Sequence, residues 1–465
     1  MGGARGRHVP VTDLHVLAGA ATVTIAVWQG WRAVAVALIV LWAVRVPSVV
    51  LCAVGVLTLF GAYRGAQAWA QAAPRHLGAY QGWVELASDP TPFGGAVRVT
   101  VEIEGERFDA WCYGSVRRKL VGREQGDMVL LAGTRRPSPA GSARRDAVRH
   151  VVGRLEVHLV ADIEEGGAVA RAGNRVRRLL RQAAERRMSP EDAALFTGLV
   201  IGDDARQSPA MITAFRTSGL SHLTAVSGQN VVFLLAAAGP VLRRLRPWPR
   251  WVATVALIGW FMSVTRFEPS VLRAGVMAIF ASLAFVTGRQ ARPPRLVGLA
   301  VTLLVLVDPM LVWSVGFWLS VGATLGVCVV GPWITVRLPV PAWLAMPVGV
   351  TLGAQAGVAI PSALVFGRLP LVSLVANLVA VPVAGFVMLY GIPAGVLAAI
   401  VPAPLDAVVL WPAEVGTQWV AQVARVGATL EPSPGWSLFG WVVVAALLAG
   451  LVVRHSRQAR PGVPS

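Results

Sequence analysis

Three apolar runs, 12–28, 33–43 and 46–63, open the chain, punctuated by Gly30, Arg32, Arg45 and Pro47. A helix needs about 20 residues to cross a bilayer, so the first two are short enough for a dipping hairpin. After a polar middle section, apolar runs resume at 229–242, 251–265, 269–287, 296–308, 311–331, 342–361, 370–386, 387–401 and 436–453. Residues 405–428 carry Asp406, Glu414 and Arg425 and read as an interfacial helix. The pattern predicts an α-helical polytopic membrane protein with about 10–12 transmembrane helices, some broken or re-entrant.

The middle section has another period. "VRVTVEIE" (97–104) alternates with period 2, Gly105 supplies a turn, and "RFDAWCYG" (107–114) follows as a hairpin partner. "YQGWVELAS" (80–88) precedes them; "SVRRKL" (115–120) reads as a short helix, then "GDMVLLAGT" (126–134) and "VGRLEVHLVADI" (152–163) as strands. Five strands with a helix between the third and fourth fit a small extracellular β-barrel domain of OB type. The expected domains are therefore N-terminal membrane helices (1–76), the OB-like domain (77–165), a basic connector with amphipathic helices (166–228) and a multi-span channel domain (229–465).

Composition agrees with the pattern. Of 465 residues, 55% are hydrophobic and 14% charged, which excludes both a soluble enzyme of this length and a disordered chain. Lys+Arg number 42 against 24 acids, a formal charge of +18. Lys119 is the one lysine and is followed by Leu120, so there is no GxxxxGK[ST] phosphate loop and any transport draws its energy elsewhere. Cys52, Cys112 and Cys328 are far apart and the His residues show no HxxxH spacing, so no metal site or other cofactor is expected. Short Arg-rich loops at 243–250 and 289–295 lie two runs apart and fit one cytoplasmic side. Working outward from them puts both termini in the cytoplasm and the OB-like domain outside.

Small barrels that bind nucleic acid stack bases on aromatics beside basic residues; here the candidates are Trp83, Trp111, Tyr113, Arg117, Arg118 and Lys119. In a barrel this size Trp and Tyr are more often core and an Arg run is usually a solvated face. The Arg-rich stretch 171–187 suits lipid headgroups or phosphodiester. Charges at membrane depth cost about 2.5–3.5 kcal/mol each, which draws attention to Arg266, Glu268, Arg273 and Asp308, although Glu268-Pro269 also fits a helix cap and Asp308-Pro309 a turn between spans. Ser320, Thr324, Gln355, Ser373 and Asn377 interrupt apolar runs near Gly or Pro, as in broken helices lining a polar path, or as packing contacts between helices.

The stretch "FTGLVIGDDARQSPAMITAFRTSGLSHLTAVSGQNV" (196–231) resembles the signature of the ComEC family of competence proteins, membrane channels for DNA uptake. "PSVLRAGVMA" (269–278), "DPMLVWSVGFWLSVGATLG" (308–326) and "GAQAGVAIPSALVFGRLPLVSLVANLVAVPVAG" (353–385) follow in family order. The resemblance implies functional weight at Gly202, Asp203, Arg216, Gly219, His222, Ser227, Gly228, Arg273, Asp308, Phe317, Ser320, Gln355, Asn377 and Pro382. It further implies a channel in the cytoplasmic membrane for single-stranded DNA in natural transformation, with no catalysis of its own. Membrane lipids, a separate DNA receptor, a nuclease and a cytosolic ATPase or helicase are the implied partners. Family members often carry a C-terminal metallo-β-lactamase-like domain; this chain is expected to lack it. "SGQN" departs from the commoner continuation after Ser227-Gly228 and leaves the role of Gln229 open.

Two other classes compete. An intramembrane serine protease could use Ser227 in "AVSG", but beyond His222 the only later histidine is His455 in the tail. A transporter of another polyanionic or lipid-linked substrate should show inverted repeats, and no internal similarity is evident.

Overall fold

The computed structural model describes residues 12–43, 48–224, 228–290 and 292–458. They divide into two compact units: Met1–Val176 with Arg295–Ser314, and Arg177–Pro294 with Val315–Ser465.

The first unit begins with α1 (Asp13–Gln29), α2 (Trp31–Ala43) and α3 (Ser48–Ala70). Thr12 caps α1: its hydroxyl accepts from the His15 backbone N–H, and His15 Nδ1 accepts from the Thr12 N–H. Gly30, at a φ of 65°, ends the helix and turns the chain into α2. Packing of α1 on α3 depends on small residues, since a Cβ at Gly65 would strike the Val27 carbonyl. Helix α13 (Pro293–Val307) and a 3-10 turn (Pro309–Trp313) return to this unit, where Arg295 pairs with Asp13 at 3.0 Å.

The polar section forms β1 (Gly78–Leu86), β2 (Thr91–Phe93), β3 (Ala96–Ile103), β4 (Glu106–Cys112), α4 (Gly114–Leu120), β5 (Met128–Pro137), α5 (Ala143–Val148) and β6 (Val151–Glu164). The order β1-β5-β6-β4-β3-β2, with an additional β1–β3 pairing, closes five strands into a ring; β4–β6 is parallel and the other pairs antiparallel. The five expected strands and the helix after the third are present, and β2 is a short addition. Alternation sends Val97, Val99, Val101 and Ile103 of β3 and Phe108, Ala110 and Cys112 of β4 into one core with Leu131 and Leu155. Burial there pushes the Cys112 thiol up to about 12.

Helix α6 (Ala168–Arg187) contains the division between the units. The second unit continues with α7 (Pro190–Ile201), α8 (Pro209–Thr217), α9 (Ser221–Thr224), α10 (Gly228–Leu242), α11 (Pro247–Val264) and α12 (Pro269–Val286). Then come α14 (Val315–Leu325), a π-helical turn (Gly326–Val330), α15 (Gly331–Thr335), α16 (Ala342–Phe366), α17 (Ser373–Ile400), α18 (Leu405–Leu430) and α19 (Pro434–Gln458). Ser189 and Ser208 cap α7 and α8 through their hydroxyls, each with Pro at the first helical position.

Among the described residues, four helical stretches are long and apolar enough to cross a membrane: Ser48–Ala70, Val315–Thr335, Ala342–Phe366 and Ser373–Ile400. The pair Leu405–Leu430 and Pro434–Gly450, bent by 102°, makes a fifth if taken as one span. This is fewer than the ten to twelve spans expected, for two physical reasons. Gly228–Leu242, Ser270–Val286 and Pro293–Val307 are apolar but short, and at 1.5 Å per residue such helices fall short of an unthinned hydrocarbon core of about 30 Å. The runs 370–386 and 387–401 are one helix of 28 residues that carries Pro382 and Pro393 inside it. Leu364 on α16 is 81% exposed and Trp343 76%, surfaces suited to lipid and not to water.

Candidate functional site: a buried arginine among glycine-packed helices

Gly202 ends α7 in the left-handed conformation (φ 71°), which turns Asp203 inward. Arg177 and Arg181, one turn apart on α6, meet its carboxylate at 3.4 and 2.8 Å, and Arg177 also donates to the Val264 carbonyl at 3.0 Å. Burial alone would raise the Asp203 pKa, but the two guanidinium groups outweigh it and hold the carboxyl below the usual carboxylate range. These two members of the Arg-rich helix thus anchor a turn and do not line a solvated face, while Arg175 and Arg178 stay on other sides of α6.

Gly219 (φ 74°) follows α8 and lies against Ser373 and Pro370 at the start of α17. Gln355 of α16 donates to Ser373 Oγ at 3.0 Å, and Ser373 donates to the Pro370 carbonyl at 2.6 Å. Asn377, one turn on, is buried, and its Oδ1 accepts no hydrogen bond among the described residues. At the same helix start, Glu431 accepts from the backbone N–H groups of Leu371 and Val372 at 3.1 and 2.9 Å. Only charge and position 431 in a loop could have drawn attention to this residue beforehand.

The second constellation is at Arg273. It is buried on α12, 5% exposed. Nε and one terminal nitrogen donate to Ser320 Oγ of α14 at 3.0 and 2.6 Å, and the other terminal nitrogen reaches Met277 Sδ at 3.3 Å. No carboxylate pairs with it among the described residues. Gly228 opens α10 against Ala274, with the Arg273 guanidinium 3.2 Å from where a Cβ would stand. Phe317, one turn before Ser320, is fully buried.

The wall behind Ser320 is made of glycine. A Cβ at Gly322 would strike the Gly357 carbonyl, one at Gly326 the Gly353 carbonyl, and one at Gly349 the Thr335 hydroxyl and the Gly331 carbonyl. Spacing is four residues throughout on α16 (349, 353, 357) but four and then five on the facing segment (322, 326, 331). The π-turn between Gly326 and Val330 absorbs the extra residue, because its hydrogen bonds reach five residues back, as from Gly331 N–H to the Gly326 carbonyl.

The other residues that the resemblance singles out fall elsewhere. Arg216, His222 and Pro382 are exposed, and Ser227 lies outside the described residues. Asp308 groups with the first unit, where it caps the 3-10 turn through the Met310 N–H and meets His150 Nε2 at 3.0 Å. On the β-sheet, the Trp111 ring is covered by Arg98 and Arg154, 5.8 and 5.4 Å from its centroid, and touched edge-on by Phe93. Its indole N–H finds no acceptor among the described residues. Trp83 is 39% and Tyr113 60% exposed, while Arg117 and Lys119 bond the Gly95 and Val160 carbonyls and Arg118 is exposed.

Apolar helices packed tightly on glycine, with a buried cation and polar links between them, define a helical membrane protein. The family described as "Competence protein" matches residues 199–458, more than half of the chain, and the chain belongs to that family. It is similar to ComE operon protein 3 of Bacillus subtilis (strain 168), 28% identical over 214 residues, which cover 45% of this chain and 27% of that protein. It is also similar to the uncharacterized protein YcaI of Escherichia coli (strain K12), 24% identical over 211 residues, covering 42% and 28%. The chain therefore spans little more than a quarter of the length of these curated relatives. No solved structure matches it.

Proposed function

We propose that this protein is a conduit for single-stranded DNA across the cytoplasmic membrane in natural transformation, acting without catalysis and driven by other proteins. Arg273 carries the reading. An intramembrane guanidinium costs about 2.5–3.5 kcal/mol, and one without a carboxylate partner is retained where an anion visits it. Ser320 meets it through a single oxygen and Met277 through its sulfur, and a passing phosphodiester offers the bidentate oxygen partner that neither supplies. Asn377, Gln355 and Ser373 supply neutral polar contacts in the same helical unit, which suits a polyanion that must leave as readily as it arrives.

The strand ring, with its parallel β4–β6 pair and helix α4 after β4, supports an OB-type domain, which the spacing of the Arg-rich loops puts on the outer face in this reading. Trp83, Tyr113, Trp111 and Arg118 are its proposed DNA contacts. Both termini lie in the cytoplasm on this reading, and the short apolar helices complete the span set as half-spans or re-entrant elements. A DNA receptor, a nuclease and a cytosolic ATPase or helicase are the proposed partners, with lipids around the apolar surface.

The test is a transformation assay in a deletion strain complemented with wild type, Arg273→Ala or Arg273→Lys at matched protein levels in the membrane. Arg273→Ala should lower transformant frequency by about tenfold or more, with Lys intermediate because it keeps charge but not the planar fork. Equal frequencies from wild type and Arg273→Ala would sink the proposal.

A further inference from the structure

The first unit holds an open recess of about 790 Å³ that the channel reading does not use. Trp28 and Gln29 from the end of α1, Trp69 from the end of α3, Arg144 from α5 and Trp313 from the 3-10 turn line it, and alanines fill the remaining wall. Trp69 and Trp313 are locked edge to face, with centroids 5.1 Å apart and rings at 85°. Trp28 stays 54% exposed.

A tryptophan at a helix end commonly marks the membrane interface. Three indoles brought by three separate elements onto one alanine-walled recess exceed that role, because belt residues point outward to lipid and not toward one another. Small side chains leave flat walls and room for a planar ring. Arg144 is the one charged residue of the lining and makes no hydrogen bond or ion pair among the described residues, and neither does the Gln29 amide. Its acidic neighbour on α5, Asp146, is already engaged by the Ser142 hydroxyl at 2.8 Å. Arg149, on the same short basic segment, is held by Asp109. The free groups are thus indole faces, an amide and a guanidinium, which match a base, its hydrogen-bonding edge and its phosphate. A quaternary ammonium would be repelled by Arg144, and a lipid phosphate would leave the indoles and the amide unused.

We propose that this recess binds one or two nucleotides of single-stranded DNA, with the base on Trp28 and the phosphate on Arg144. The site rests on the conduit reading for its ligand, but it stands on different residues and is tested separately. The full-length protein in detergent is titrated with an oligo-dT carrying one 2-aminopurine, whose emission an indole quenches on stacking. Trp28→Leu should weaken binding by about tenfold and relieve the quench, whereas Trp28→Phe keeps an aromatic face and much of the affinity. Arg144→Glu, at an exposed position, should weaken binding further as charge is reversed and reduce the slope of log affinity against log salt by about 1. Should Trp28→Leu fail to fold, Arg144→Glu carries the test alone. Wild-type affinity in both folded variants would overturn the proposal while leaving the Arg273 assay of the conduit untouched. Loss of binding to phosphatidylglycerol vesicles with unchanged oligonucleotide binding would also overturn it, in favour of a lipid site.

Discussion

The strand ring and the α14–α16 packing solve the same problem, holding a chain together, with opposite materials. In the ring, large side chains do the work: Phe108, Leu131 and Leu155 leave water, while exposed charges pair on the outside, as Arg136 does with Glu156. Between α14 and α16, side chains are nearly absent from the contact, and backbone meets backbone at Gly322, Gly326, Gly353 and Gly357. In lipid an apolar side chain gains little by turning inward, so close approach and polar links replace hydrophobic burial. Size at a buried position stabilises one region and disrupts the other.

The comparison can be broken by exchanging these rules. Phe108→Ala should cost the ring about 3–5 kcal/mol, seen as early loss of β-signal in a thermal melt of the purified protein. A loss below about 1 kcal/mol would show that the ring is not held by its core. Asp203→Asn removes the buried carboxylate that Arg177, buried, and Arg181, half-buried, both meet, and about 3 kcal/mol or more should go with it. The same group sets an acid limit. Because its folded pKa is lowered, its contribution is full above the ordinary Asp pKa of about 3.9 and is lost as pH falls through the lowered folded value. Wild type should therefore lose more stability across that acid window than Asp203→Asn does. Gly353→Ala is the inverse experiment: one added methyl in the glycine wall should cost about 1–3 kcal/mol, whereas in an ordinary helix Gly→Ala stabilises. A more stable Gly353→Ala protein would end the distinction drawn here. At the small end, Arg107→Ala breaks an exposed pair with Glu102 at 3.3 Å and should move the melt by less than about 1 kcal/mol, less still in salt.

The sequence was most legible where one physical signal dominates. Period-2 alternation at 97–104 and the caps Ser189-Pro190 and Ser208-Pro209 are local, and each element begins where its signal does. β2 escaped because Thr91–Phe93 is three exposed residues with a Pro, whose pairing depends on β3 and not on its own pattern. The boundary drawn between 386 and 387 is absent because the apolar stretch carries no polar or charged residue to fix an end there, and α17 runs on through Pro382 and Pro393 as one helix. The resemblance located Arg273, Ser320 and Gln355, and the pattern of polar residues in apolar runs located Ser373, but neither told who bonds whom, since Arg273 and Ser320 lie 47 residues apart. The Arg-rich stretch gave the right charge and the wrong exposure for Arg177: an i, i+4 pair facing one acid across a turn is a tertiary fact. Asp308 is the converse, a residue in family order that groups with the other unit and caps a turn there.

The π-turn at Gly326–Val330 also bears on how this segment tolerates changes of length. A straight α-helix that lost one residue there would rotate everything beyond it by about 100° and carry Gly331 off the contact. Here the surplus residue is already stored in the turn. Removing one residue from 327–330 would let the segment relax to ordinary α-helix, with Gly322, Gly326 and the former Gly331 back at four-residue spacing and still facing Gly349, Gly353 and Gly357. Deletions that would be ruinous one turn earlier should be neutral in this stretch, so relatives that differ in length by a single residue can keep the same helix pair.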